Sequence, residues 1–184
     1  MNVLKTEIEG VYIIEPRVFG DERGYFFESF NAECFRDQTG IDVTFVQDNE
    51  SCSHKGVLRG LHFQKEPYAQ AKLVRVVCGR VLDVAVDIRR DSTTFGKYVA
   101  VELSGENRRQ MFIPKGFAHG YITLEDDTIF QYKCDEYYHP EAEGGIAWND
   151  PHIGIEWGVP EEEIILSRKD TQNPQLADIL ALFE

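Results

Sequence analysis

The chain lacks paired cysteines, long apolar runs and an excess of positive charge, and each deficit excludes a class of function. Its four cysteines, at positions 34, 52, 78 and 134, show none of the close spacings of a metal-binding pair. Separate reduced thiols are the expectation, as in a cytoplasmic protein. No stretch approaches the roughly 20 apolar residues that a membrane-spanning helix needs. The opening MNVLKTEIEG has no basic start followed by an apolar segment, so it does not read as a secretion signal. Lysine and arginine number 19 against 32 acidic residues, for a net charge of −13. Nucleic acid is therefore not an expected partner, because its binding needs a basic surface. A small anionic ligand remains compatible if a few cations gather in one pocket. There is also no dinucleotide-binding glycine pattern, flavin signature, internal repeat, low-complexity segment or linker.

What the chain does have is short strands. At 184 residues it is long enough for one domain with a real core, spanning 1–184. Apolar or alternating runs at 11–15, 25–30 and 43–49, two within 57–78, and others at 80–88, 97–104, 108–113, 119–124 and 128–134 read as strands. GDERG (20–24) reads as a turn and SCSHKG (51–56) as a loop. Asn31 is placed to cap a short helix that ends near Gly40. A late helix is expected with Asn173 as its cap and Pro174 at its first position, running through Leu176, Ile179, Leu180 and Phe183. About ten closely spaced strands with little helix between them indicate an all-β sandwich or barrel.

The chemistry concentrates in VLRGLHFQKEPYAQAKLVRVVC (57–78). Alternation puts Lys72, Val74, Val76 and Cys78 on one face of a strand, so the lysine points toward a core or pocket. His62 lies in the preceding strand. Taken alone, the pair is better described as a snorkelling lysine and a hydrogen-bonded core histidine. Glu28, between Phe26 and Phe30 on one face, is a buried carboxylate or a solvated edge residue, and pattern does not decide. FIPKGFAHGY (112–121) contains Pro-x-Gly-x-x-His, the second half-motif of the cupin jelly roll, ending in His119. The first half-motif normally supplies two histidines and a carboxylate. Here Leu61-His62-Phe63-Gln64 supplies one histidine, and Glu66 falls before the next strand. A transition metal wants at least three protein ligands. A cupin-like jelly-roll barrel with short peripheral helices and no metal is the expectation. The chemistry left is acid–base: His62 as base, Lys72 as oxyanion stabiliser, Tyr132 as phenolic donor, and Asp170 of LSRKD as an imidazole-orienting carboxylate.

The ordered blocks GVYIIEPRVFGDERGYFFESF, QDNESCS, GVLRGLHFQ, QAKLVRVVCGRVLDVAVDIR, FIPKGFAHGY, QYKCDEYY and LSRKD resemble the dTDP-4-dehydrorhamnose 3,5-epimerases from about position 10 to 170. The resemblance implies a homodimeric, cofactor-free cupin-like enzyme of dTDP-L-rhamnose biosynthesis, acting on dTDP-4-keto-6-deoxyglucose. It implies that His62 removes the C3 and C5 protons while Asp170 holds it. Lys72 would stabilise the enolate, and Tyr132 would return a proton from the opposite face. Arg23, Glu28, Gln47, Asp48, Asn49, Arg59, His119, Glu143 and Lys169 fall where the family binds the sugar nucleotide, and Tyr138 where an aromatic stacks on thymine. The N-terminal strands are apolar on both faces (Tyr12, Ile13, Ile14; Tyr25, Phe26, Phe27). In the resembled family this segment pairs across the subunit interface, so Arg23 and Glu28 would complete the partner's site. Strict alternation sets Arg59 and His62 on opposite faces, and Gly60 between them is a candidate bulge. A metal-dependent cupin oxygenase lacks its ligands here, and a non-catalytic binder would not need an aligned base and acid. The nearest rival is a mono-epimerase or keto-isomerase on a related dTDP-ketosugar.

Overall fold

The computed structural model describes residues 1–179. In chain order its elements are β1 (Asn2–Lys5), β2 (Tyr12–Glu15), β3 (Val18–Asp21), β4 (Gly24–Phe27), α1 (Ala32–Thr39), β5 (Gln47–Ser53), β6 (Val57–Gln64), β7 (Lys72–Cys78) and β8 (Arg80–Asp87). There follow β9 (Tyr98–Ser104), β10 (Gln110–Ile113), β11 (Phe117–Thr123), β12 (Thr128–Cys134), β13 (Glu143–Gly145), β14 (Ile165–Leu166) and α2 (Leu176–Ile179). One sheet has the order β1-β2-β10-β7-β12-β5 and the other β13-β6-β11-β8-β9, with β14 joining β6 in parallel. Together they form the expected cupin-like jelly roll, and β3 and β4 form a separate two-stranded ribbon.

The interior is built from the inward rows of both sheets, with Val74, Val76, Met111 and Phe130 meeting Val81, Ala85, Leu103 and Tyr121. The second sheet is also covered on its outer side, where Leu58, Val84, Val86 and Ile122 pack against Ile146, Trp157, Leu176 and Ile179. This double covering explains why every residue of β11 is buried. It also explains β8: the row containing Asp83 and Ala85 turns to the interior, while Leu82, Val84 and Val86 on the other row meet the C-terminal segment. Helix α1 forms as its signals predict, with Asn31 Oδ1 accepting from the Cys34 amide at 3.0 Å and Gly40 at φ 75° closing it. Its Phe35 seals a third cluster with Ile14, Leu73 and Phe112.

Several boundaries differ from the pattern. The strand expected over 25–30 stops at Phe27, and its partner β3 was hidden ahead of the turn. The strand expected over 43–49 begins at Gln47 and continues through residues assigned to a loop. Its polar sequence QDNESCS is carried by an unbroken ladder to β12, from Gln47↔Cys134 to Ser53↔Thr128. In β7 the register slips, with Val76 opposite Phe130 but Cys78 opposite Ile129. The extra residue, Val77, turns Cys78 outward, so it does not share the inner face with Lys72. The late helix begins at Leu176, whose amide donates to Asp150 Oδ2 at 2.6 Å, rather than being capped by Asn173. Leu180 and Phe183 lie outside the described residues. Among the described residues no helix is long and apolar enough to cross a membrane.

Candidate active site

The site is assembled by a bulge. In the β11–β6 ladder His119 faces His62 and Tyr121 faces Arg59, so the one residue between them on β11 is matched by two on β6. The extra residue puts Arg59 and His62 on the same side, where both line one cleft. Gly60 is required there: its φ is 136°, and a Cβ would stand 2.6 Å from the Gly120 Cα. The bulge expected at Gly60 is therefore present, and it resolves the conflict between Arg59 and His62.

His62 meets Asp170 although 108 positions separate them, with Nε2 2.6 Å from Oδ1. The contact follows from β14. Its parallel pairing, Ile165↔Val57 and Leu166↔Leu58, lays residues 165–170 along β6 and delivers Asp170 on a short 3-10 turn. Ser167 Oγ donates to the other carboxylate oxygen at 2.9 Å. Burial pushes the Asp170 carboxyl up, but the hydrogen bond and charge of His62, with Ser167 and Lys169, outweigh it and hold the group below its usual range. An ionised carboxylate on one ring nitrogen leaves the other nitrogen for the cleft.

Lys72 opens β7 and Tyr132 lies on β12, and both line the same cleft. The ammonium stands 5.9 Å from the centre of the Tyr132 ring. Burial lowers the Lys72 pKa, opposed by Cys134, Asp83 and Glu143. Burial pushes the Tyr132 phenol up to about 12, so it stays protonated. Burial also raises the nearby Cys134 thiol to about 11, with Lys72 acting in the opposite direction.

The cleft holds about 620 Å³, and Asn49, Arg59, His62, Lys72, His119, Tyr132, Lys169 and Asp170 are among its walls. A smaller recess shares Asn49, His62, Lys72 and Tyr132 with it and adds Gln47, Tyr138 and Glu143. Tyr138 donates from its hydroxyl to Glu143 at 2.9 Å, and Lys169 ion-pairs with the same carboxylate. Burial pushes the Glu143 carboxyl up, but the bonds from Lys169 and Tyr138 pull it below its usual range.

Asp48, Arg23 and Glu28 do not line this cleft. Asp48 points to the opposite face of β5, between inward Gln47 and Asn49, and its carboxylate pairs with Lys133 at 2.8 Å. Arg23 sits at the tip of the exposed ribbon, bonded to Asp21, and Glu28 is exposed just after β4. Neither lines the cleft of its own chain. Sequence reasoning missed Asp83, which meets His119, and Ser167, which holds Asp170. Their only signals were an aspartate sharing a strand face with Ala85 and a serine in LSRKD. Among the described residues no three His, Cys, Asp or Glu side chains converge as a metal-ligand group. The arrangement offers an oriented imidazole base, a buried cation and a protonated phenol around one space. That combination suits proton transfer at carbon beside a carbonyl.

Comparison with known proteins points the same way. Residues 5–178 match the family model of dTDP-4-dehydrorhamnose 3,5-epimerase. The chain is 57% identical over 178 residues to the dTDP-4-dehydrorhamnose 3,5-epimerase of Shigella flexneri, covering 97% of each chain. It is 56% identical over 183 residues to the enzyme of the same name from Escherichia coli K12, covering 99% of this chain and 98% of the other. A crystal structure of the Legionella pneumophila 3,5-epimerase in complex with dTDP-4-keto-L-rhamnose superposes with a TM-score of 0.95 at 52% identity, covering 99% of this chain and 96% of that one.

Proposed function

The chain belongs to the dTDP-4-dehydrorhamnose 3,5-epimerase family, and from that premise we propose that it inverts C3 and C5 of dTDP-4-keto-6-deoxy-D-glucose to give dTDP-4-keto-L-rhamnose. The observation that carries the reading is the His62–Asp170 contact at 2.6 Å in the cleft that also holds Lys72 and Tyr132. The C4 ketone acidifies the hydrogens on both neighbouring carbons, so one base and one enolate stabiliser serve both centres. Asp170 holds the imidazole, and His62 takes the proton. Lys72 sets a desolvated cation against the oxygen that gains charge, where electrostatics are strongest. Tyr132 delivers the new proton from the opposite face. The substrate supplies its own electron sink, so the mechanism calls for no cofactor or metal.

Binding follows from the remaining walls. Arg59, His119 and Lys169 offer cationic or hydrogen-bonding groups to the diphosphate and sugar, with Gln47, Asn49 and Glu143 as polar partners. Tyr138, at the rim and half exposed, is placed to stack on the thymine. The Legionella relative, bound to dTDP-4-keto-L-rhamnose, supports this ligand class. We assign the 184 residues to a single jelly-roll epimerase domain acting in the cytoplasm as a homodimer. The exposed aromatics of the β3–β4 ribbon, Phe19, Tyr25 and Phe26, support a dimer, because such a patch marks an interface. Arg23 and Glu28, turned away from their own cleft, would then serve the partner's.

The test is incubation with dTDP-4-keto-6-deoxy-D-glucose and assignment of the product by NMR. Inversion at both carbons is expected; a product changed at one carbon, or a shifted ketone, makes it a mono-epimerase or keto-isomerase instead.

A further inference from the structure

A second imidazole–carboxylate pair stands beside the first. His119 on β11 lies directly across the ladder from His62. Both oxygens of Asp83, on β8, approach its Nε2, at 3.0 and 3.1 Å. Asp83 is wholly buried, and His119 is 7% exposed. The ring plane of His119 is set by Phe130, stacked 6.1 Å away, and by Tyr121 at 6.3 Å. Tyr121 in turn stacks on Phe130 at 3.9 Å and bonds Ser51 through its hydroxyl at 2.7 Å. Among the described residues no protein group bonds Nδ1 of His119, and the residue lines the cleft. Nδ1 is thus the nitrogen left for a ligand.

Stability gives no reason for this carboxylate. Its row on β8 runs Val81, Asp83, Ala85 and Asp87, and Asp83 stands between the two apolar residues that pack in the interior. Replacing a buried charge pair by well-packed apolar groups is often neutral or stabilising, whereas removing one partner is costly. A carboxylate on one imidazole nitrogen does a specific job: it selects the tautomer and the ring orientation that the other nitrogen presents. The charge of Asp83 also reaches Lys72, where it opposes the effect of burial.

We infer that Asp83 is a positioning residue of the epimerisation site: it takes the Nε2–H of His119, so that Nδ1 of that ring meets the bound sugar nucleotide beside His62. The inference rests on the epimerase reading above for the identity of the ligand. It makes the site a pair of adjacent dyads with divided tasks. His62–Asp170, whose imidazole is the more exposed of the two, is the dyad that moves protons, and His119–Asp83 is the buried one that fixes the sugar nucleotide against it.

Two measurements test this. Asp83→Asn keeps the size of the side chain but loses its charge, and a fall in kcat/KM of ~10–100-fold is expected, by analogy with the loss of the partner that orients a metal-ligating histidine. In a His119→Ala background the same substitution should cost less than about 3-fold, because residues acting as a unit are non-additive. Wild-type kcat/KM in Asp83→Asn, or equal losses in both backgrounds, overturns the inference. The second measurement needs no turnover and no variant. In the wild-type protein with 15N-labelled histidine, His119 should show a protonated Nε2. Its Nδ1 resonance should move on saturation with dTDP-glucose, which lacks the ketone. A ring protonated on Nδ1 alone, or an Nδ1 indifferent to the nucleotide sugar, overturns it. Failure of the wild-type protein to act on the 4-keto sugar would instead strike the proposed function, with the nitrogen spectra still deciding the role of Asp83.

Discussion

Replacing Tyr132 by phenylalanine removes one hydroxyl and keeps the ring, which packs 6.1 Å from Phe130 on the same strand face. Burial holds this phenol at about 12. Near pH 7.5 its ionised fraction is then below roughly one part in 10⁴, so it carries the proton that the proposed mechanism asks it to donate. Loss of a positioned acid costs ~10²–10⁴ in rate, equivalent to about 2.7–5.4 kcal/mol of barrier. The loss should fall on inversion and not on exchange. His62 remains hydrogen-bonded to Asp170, so in D2O it can still remove a proton and return a deuteron to the same face. His62→Ala should instead abolish exchange and inversion together, because no carbanion forms. The assay is proton NMR in D2O, timing loss of the C3 and C5 signals separately from the appearance of inverted product. Inversion at the wild-type rate in Tyr132→Phe would refute the division of labour between the two residues.

Asp170→Asn should lower kcat by ~10²–10⁴ with a smaller change in KM, because the imidazole loses its orienting carboxylate; steady-state kinetics showing the loss in KM alone would contradict this. Asp87 is wholly buried and accepts hydrogen bonds from Arg89, Ser92 and Thr94. Burial pushes its carboxyl up, but these bonds outweigh it and bring it from 3.8 to about 2. A value depressed by folding contributes stability that is complete above the unfolded pKa and is lost as pH falls through the folded one. The contribution, roughly 1–2 kcal/mol after allowance for the partly exposed Arg89, should therefore vanish between about pH 4 and pH 2. Asp87→Asn should lower Tm at pH 7 and flatten its acid limb; an unchanged acid slope in calorimetry would contradict that. Exhaustive chelation should leave activity intact, and loss with EDTA reversed by one specific metal would overturn the mechanism.

Legibility in the sequence followed the physics of each element. Residues 128–134 were read to their limits as a strand, because Thr128, Phe130, Tyr132 and Cys134 alternate without interruption. Helix α1 was legible from its two caps. Strand β5 was not, because its polar residues are held by a neighbouring strand and not by their own preference. Among site residues, His62, Lys72, Tyr132 and His119 were placed by motif and face, and the structure brings all four to one cleft. The reach from His62 to Asp170 could not be seen in the spacing, since it depends on a two-residue parallel strand. In the contiguous block Gln47-Asp48-Asn49, alternation turns the middle residue away from the cleft that its neighbours face. Asp83 was passed over because an aspartate in an alternating strand resembles a solvent-facing one, and only the covering of both faces of that sheet reveals it as interior.

The claim that one cleft inverts two carbons through carbanions is tested most directly by incubating the wild-type protein with dTDP-4-keto-6-deoxy-D-glucose in D2O and locating the label. The account predicts deuterium at both C3 and C5 of an L-configured product, with both labels lost when His62 is replaced by alanine. Deuterium at one carbon only, or epimerised product carrying no solvent label, would contradict it.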